Sequence, residues 1–467
     1  MRQLHLAELR DSWSAWLGVC VAFIATNFAL ALASLTLVTG VTAVQSGALN
    51  YWKSAGFTFV PGLNLFFCAI VGALVIGAAT SLVVDSRRGS LARLALTGAT
   101  PRQVVSTIMS QLTVVSLACS VVGDALALVA FEPTLRYLAN DPSEPLAVPP
   151  AIYAAWPVLL ANLFAVGLAL LGGLRQARQA SRIPPVEALR QATGDRDERM
   201  TRGRWVSSGL LLLIVVGAYG AIPALTAVRT KETFSNIFLL SLVILVLGAA
   251  LLARIAPLVV GPLTRGWTRL VPSFDPSWDL ARSTAVAKAA RLTKSVIPVM
   301  MAIGLLFGMV AIGQTMQSSL YAMGENVELS GVDASAMLTF LGLPLLIAMA
   351  GGVGSLIMMS KQRDAELALS GIVGTTPGQR LAMPVFEGLV IGITGALLSL
   401  VMVGASVVYL AVALPAADYV FAFSPSYLTF VLSFVVCLAV TVAATLLPTL
   451  ASLRKPEPKV IARLVAE

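Results

Sequence analysis

The sequence is poor in charge. Only 12% of its 467 residues are Asp, Glu, Lys or Arg, against about 25% in soluble domains, so the chain cannot coat a globular surface of this size. Histidine is nearly absent: His5 stands alone, which argues against a histidine metal centre or proton relay. The four cysteines, Cys20, Cys68, Cys119 and Cys437, all fall inside apolar runs. They read as small core or lipid-facing residues, not as disulfides or metal ligands. No Gly-x-x-x-x-Gly-Lys phosphate loop, His-Glu-x-x-His pair or serine elbow occurs. The chain lacks the usual means of hydrolysing ATP, so energy must come from a partner or from an ion gradient.

What is present is apolar: 57% of the residues are hydrophobic. Runs long enough to cross a bilayer cover about 15–42, 60–84, 104–131, 151–173, 207–227, 238–260, 296–314, 336–359, 382–412 and 427–447. The first far exceeds the apolar core of a cleavable signal and reads as a span that stays. The expected fold is an all-α integral membrane protein of about ten transmembrane helices. The net charge of +9 is not spread evenly. Of 32 Lys and Arg, Lys53, Arg136, Arg229 and Lys231 fall in the segments placed outside, and the rest lie on or near the opposite face. That bias puts the N-terminus in the cytoplasm, and an even number of spans returns the C-terminus to the same side, with basic residues near anionic lipid headgroups. It points away from nucleic acid. Residues 1–13, with Leu4, Leu6 and Leu9 among polar neighbours, and 278–294, with Ala281, Ala285, Ala289 and Leu292 on one face, read as amphipathic inner helices.

One stretch is written twice. Leu94-Ala95-Leu96-Thr97-Gly98-Ala99-Thr100-Pro101-Arg102-Gln103 returns as Leu367-Ala368-Leu369-Ser370-Gly371 and then Thr375-Thr376-Pro377-Gly378-Gln379, with Ile372-Val373-Gly374 inserted between. Each copy predicts a short helix stopped by a left-handed glycine, Gly98 or Gly371. A new helix then starts under a Thr-x-x-Gln capping box, with proline in its first turn. Gln111 and Glu387 follow the two capping-box glutamines at the same distance. The spans thus divide four, two, four: a first repeat over 1–206, a linker pair of spans over 207–262 and a second repeat over 263–467. An even number of spans separates the copies, so the repeats are parallel and both elbows face inward.

Chemistry has few other places to sit. Asp124 lies in the outer half of the third span and Glu387 near the start of the ninth. A carboxylate costs free energy there unless it is hydrogen-bonded or reached by water, and each reads as either a structural group or a substrate or gating contact. Gly388-Leu389-Val390-Ile391-Gly392 and Gly351-Gly352-Val353-Gly354 read as close helix-packing surfaces. The elbows are the sharper candidates. A plain interfacial helix obeying the positive-inside bias accounts for the charges of Arg87, Arg88 and Arg93, or of Lys361, Arg363 and Glu366. It does not account for helix, glycine stop and capping box recurring together with Leu91, Leu94 and Leu96, or with Leu367 and Leu369. A rigid peg presenting apolar side chains to a cytoplasmic partner does.

The run from Arg88 to Gln103 resembles the loop of FtsX-like permeases, the membrane subunits of type VII (MacB-like) ABC transporters, and Pro185-Val186-Glu187-Ala188-Leu189-Arg190 resembles the motif closing a repeat. Glu387 falls where such proteins commonly carry a glutamate, with Gln111 in that place in the first copy. Ser90 departs from the usual glutamate, and the outer segments, all about twenty residues or fewer, hold no large extracellular domain. The resemblance implies a permease that binds no cofactor itself, while ATP and Mg sit on two partner ATPase subunits. The elbows would act as coupling helices, through Arg87, Arg88, Leu91, Leu94, Leu96, Gly98 and Thr100 in one copy. In the other the set is Lys361, Arg363, Glu366, Leu367, Leu369, Gly371 and Thr376. Cargo would enter from the bilayer as a lipid, lipopeptide or hydrophobic drug-like compound. The alternatives are an FtsX-like regulatory protein relaying ATPase state across the membrane, or an ion-coupled secondary transporter.

Overall fold

The computed structural model describes residues 13–48, 55–87, 96, 98–139, 148–180, 202–226, 232–273, 275–323, 334–423 and 427–453. Among these the secondary structure is helical throughout, with no strand. The expected helix over 1–13 lies almost wholly outside the described residues, as does the motif at 185–190. The first block holds α1 (Trp13–Gln45), α2 (Ala55–Ser86), α3 (Pro101–Ala139) and α4 (Ala155–Ala180). The linker holds α5 (Arg202–Gly220), the short α6 (Ile222–Thr226) and α7 (Glu232–Leu270). The second block holds α8 (Pro276–Ala287), α9 (Ala289–Ala322), α10 (Ala334–Ile372), α11 (Pro377–Ala416) and α12 (Tyr427–Leu453). Ten of these are long and apolar enough to cross a membrane.

Helix is the only outcome the composition allows, because a backbone in hydrocarbon must satisfy its hydrogen bonds within its own segment. Side-chain hydroxyls and amides do the same locally: Thr26 Oγ1 donates to Ala22 O at 2.8 Å, Thr36 Oγ1 to Leu32 O at 2.7 Å and Thr315 Oγ1 to Ala311 O at 2.7 Å. Several helices outrun the apolar runs. α3 continues past Phe131, through Pro133, to Ala139, so half of the expected outer loop at 132–150 is helical and carries an exposed Glu132–Arg136 pair. The expected inner segment at 278–294 is two helices, because Lys288 (φ −107°, ψ 39°) breaks it between α8 and α9. Of its expected apolar face Ala281, Ala285 and Leu292 are buried and Ala289, at the break, is half-buried; Trp278 is buried beside them.

The same packing pairs recur in both blocks. The first spanning helix meets the second, third and fourth, the third meets the fourth, and the second meets the fourth, while second and third scarcely touch. Small residues allow this close approach. A Cβ on Gly123 of α3 would lie 2.9 Å from Asn27 Cβ on α1, and one on Gly395 of α11 would lie 3.2 Å from Val299 Cγ1 on α9. Gly388 and Gly392 seat α11 on Val442, Thr445 and Leu438 of α12.

The blocks join through α2 and α10, which face each other, with Asn64 Nδ2 donating to Thr339 O at 2.7 Å. Two seams flank that contact and they differ. On one side α1 packs along α10 backbone to backbone: a Cβ on Gly18 would fall 2.1 Å from Gly354 O, and one on Gly354 would fall 2.2 Å from Gly18 O. On the other side α9 meets α2 more sparsely, and there Lys294 forms an ion pair with Asp85. The linker pair packs mainly on the second block, chiefly through α7, which also touches α2. α7 lies on α9 and α11, where Trp267 Nε1 donates to Thr394 Oγ1 at 3.0 Å, and α5 is tied to α11 by Tyr219 stacking edge-on against Tyr409.

Candidate functional site

Both elbows sit at one end of the bundle, where the second spanning helix of each block hands over to the third. In the first, Gly98 has φ +95°, a value that favours glycine. Thr100 then caps α3: its N–H donates to Gln103 Oε1 at 2.8 Å, and Gln103 N–H donates back to Thr100 Oγ1 at 3.4 Å. Both features are as expected. Arg88, Leu91 and Leu94 lie outside the described residues, and Leu96 stands 52% exposed.

The second elbow corrects the sequence reading in one respect. Gly371 does not stop the helix; α10 runs through it to Ile372, and the left-handed glycine is Gly374, with φ +99°. Thr375 N–H donates to Ser370 O at 3.2 Å and Gly374 N–H to Gly371 O at 3.1 Å. These are the two bonds of a Schellman motif with Gly374 just past the helix end. Thr376 caps α11 as expected, its N–H donating to Gln379 Oε1 at 3.0 Å and Gln379 N–H returning to Thr376 Oγ1 at 3.3 Å. The repeated unit is therefore Gly-x-Thr-Pro-x-Gln, equally spaced in both copies. Aligned on it, Leu96 and Thr97 correspond to Ile372 and Val373, which are 64% and 87% exposed. The side chains of Lys361, Arg363, Glu366, Leu367 and Leu369 lie outside the described ones, although their backbone belongs to α10.

The root of the first elbow is bound inward. Arg87, half-buried, lies 5.7 Å from the centroid of the Trp16 ring on α1 and donates to Gln111 Oε1 on α3. Asp85, two residues earlier on α2, holds Lys294 of α9. Charge read in the sequence as interfacial thus ties helices together. Asp85, Lys294, Ile372, Val373 and Gly374 all escaped the reading of the sequence. Only Gly374 had a readable signal, its distance from Thr376.

The two intramembrane carboxylates sit apart in the fold. Asp124, half-buried on α3, accepts a hydrogen bond from Asn162 Nδ2 on α4 at 2.7 Å, while Glu387 is half-buried about three turns into α11. The four cysteines are free thiols. An apolar cavity of about 30 Å³, lined by Val299, Ile303, Gly352, Val353, Leu356 and Val440, opens between α9, α10 and α12; it is too small for a lipid-sized cargo.

Ten helices long and apolar enough to cross a membrane, with twin capped turns at one end, define a multi-pass helical membrane protein. The model of the FtsX-like permease C-terminal family matches residues 62–185 and 338–456, just over half of the chain, so the chain belongs to that family. Residues 62 and 338, where the matches begin, are as far apart as Thr100 and Thr376, so the family alignment and the two turns share one register. No curated protein matches the chain. FtsX-like permeases are membrane components of ABC-type systems and generally work with a partner ATPase.

Proposed function

We propose that this chain is the permease of an ATP-driven transporter that extracts or exports a hydrophobic, lipid-like substrate from the bilayer. The observation that carries this reading is the doubled turn: one chain presents two Gly-x-Thr-Pro-x-Gln elbows at the same end, each with exposed apolar residues beside it. Two such turns suit two ATPase protomers, whose closure on ATP would draw the elbows together. Leu96 in one copy, with Ile372 and Val373 in the other, supply the apolar anchors that such docking needs. The capping boxes fix the helix starts that follow directly after those anchors. The expected inner basic bias places both elbows in the cytoplasm, where ATP and Mg on the partner are available. Short outer segments favour entry of cargo from the membrane. Asp124, beside exposed Val121 and Leu163 in the outer half of the bundle, is the polar group that such a cargo would meet.

The test is hydrolysis in liposomes holding the chain and its co-purified ATPase. ATP turnover should rise with the mole fraction of a bilayer-borne fluorescent phospholipid or lipopeptide. Turnover indifferent to every such amphiphile, yet raised by a soluble cell-wall enzyme added outside, would replace transport with a signalling role.

A further inference from the structure

The two flanking seams between the blocks are built for different behaviour. At the α1–α10 seam, Gly18 and Gly354 bring backbones into contact without intervening side chains, and α1 carries no charged residue along its whole length. An interface of interlocked backbone has one good packing and loses contacts steeply on separation. The α2–α9 seam meets through Lys294 and Asp85, whose side chains are 13% and 23% exposed. Such a pair can exchange its mutual contact for water or for new partners, so it has two accessible arrangements. Because α1 has no charge to offer, the first seam cannot form a reciprocal pair. The difference is written into the sequence as well as the packing.

The position of the pair gives it consequence. Asp85 lies two residues before Arg87, which is itself held by Trp16 of α1 and Gln111 of α3. The root of the first elbow is thus gripped by its own block through Arg87 and by the opposite block through Asp85. Lys294 stands six residues after Lys288, where α8 breaks from α9, and α8 in turn packs on α11 through Trp278 against Phe386 at 5.7 Å between ring centroids. A short mechanical path therefore joins the first elbow to the helix that leaves the second elbow.

We propose that Asp85 and Lys294 are positioning residues that form a breakable latch between the blocks: the pair holds the first elbow to the second block at rest and parts when the elbows move, while the α1–α10 seam stays closed as the pivot. The inference rests on the reading that the elbows seat an ATPase.

The test uses native membranes and a chain whose Cys20, Cys68, Cys119 and Cys437 are replaced by alanine. Asp85→Cys with Lys294→Cys should cross-link readily without nucleotide and at least fivefold less with Mg-ATP and vanadate. Asn64→Cys with Thr339→Cys, across α2 and α10, should cross-link equally in both states. In the unaltered background, Asp85→Asn should release substrate-independent ATP hydrolysis at normal membrane levels, and the exchange Asp85→Lys with Lys294→Asp should restore coupling. Equal cross-linking of 85 and 294 in both states, with the ATPase co-purifying, overturns the latch and leaves docking intact. A charge exchange as defective as Asp85→Asn also overturns it, by assigning the need to Asp85 alone. An unaltered chain that fails to co-purify any ATPase removes the docking reading, and the latch falls with it.

Discussion

The two elbows share a turn and differ in what leads into it. In the first, α2 ends at Ser86 and its root is tied down by Arg87 and Asp85. In the second, α10 runs unbroken to Ile372 and Gly374 stops it. Gly-x-Thr-Pro-x-Gln is nonetheless spaced identically in both. The turn is fixed by the helix that follows, because a capping box satisfies the first free N–H groups of that helix. The helix that enters can lengthen without disturbing it.

This comparison can be broken most severely at the α1–α10 seam that both elbows depend on. Gly18→Leu places a side chain where even a Cβ would lie 2.1 Å from Gly354 O. Overpacking of a tight interior commonly costs about 1–3 kcal/mol, and a rigid backbone neighbour puts this case at the upper end or beyond. Membrane levels of the purified chain should fall sharply; normal accumulation would show that the seam is loose.

The tips come next. Replacing Ile372 and Val373 together with Asp should weaken ATPase co-purification by about 30-fold, the equivalent of roughly 2 kcal/mol for a lost anchor. Leu96→Asp alone should do less, because it removes one apolar group instead of two. Equal defects would mean that both elbows dock through groups other than these.

The glycine register gives a change of sign. Gly374→Ala forces a side chain into the left-handed region at a cost of about 1–2 kcal/mol, and Gly98→Ala should behave alike. Gly371→Ala replaces a helical glycine and should be neutral or stabilising by up to about 1 kcal/mol. Thermal unfolding of the detergent-purified chain separates the two cases; a destabilising Gly371→Ala beside a harmless Gly374→Ala would reverse the assignment of the stop. The smallest expected effect is at the caps. Thr100→Ala and Thr376→Ala should each cost about 1 kcal/mol, equally in both elbows, and a large inequality would show that the two turns are not equivalent.

Much of this was legible in the sequence for a physical reason. Long apolar runs have one solution in a bilayer, so the ten helices and their four-two-four order could be read directly. A capping box spans four residues and carries its own partners, so Thr100 and Thr376 could be read too. Gly371 was misread because matching Leu-Ala-Leu-x-Gly sets the two copies three residues out of the register that the capping boxes and the family match share. Helix ends beyond the hydrocarbon, such as 132–139 of α3, were read as loop because apolar content stops before helix does. Asp85 with Lys294, and Gly18 with Gly354, join segments more than two hundred residues apart, and periodicity along one helix says nothing about its partner.

The central claim is that one chain carries both docking sites, and stoichiometry tests it most directly. Native mass measurement of the complex purified from membranes should give one permease chain with two ATPase protomers. Two permease chains for each pair of ATPase protomers would mean that the second elbow does not serve as a second seat, and the account would fail.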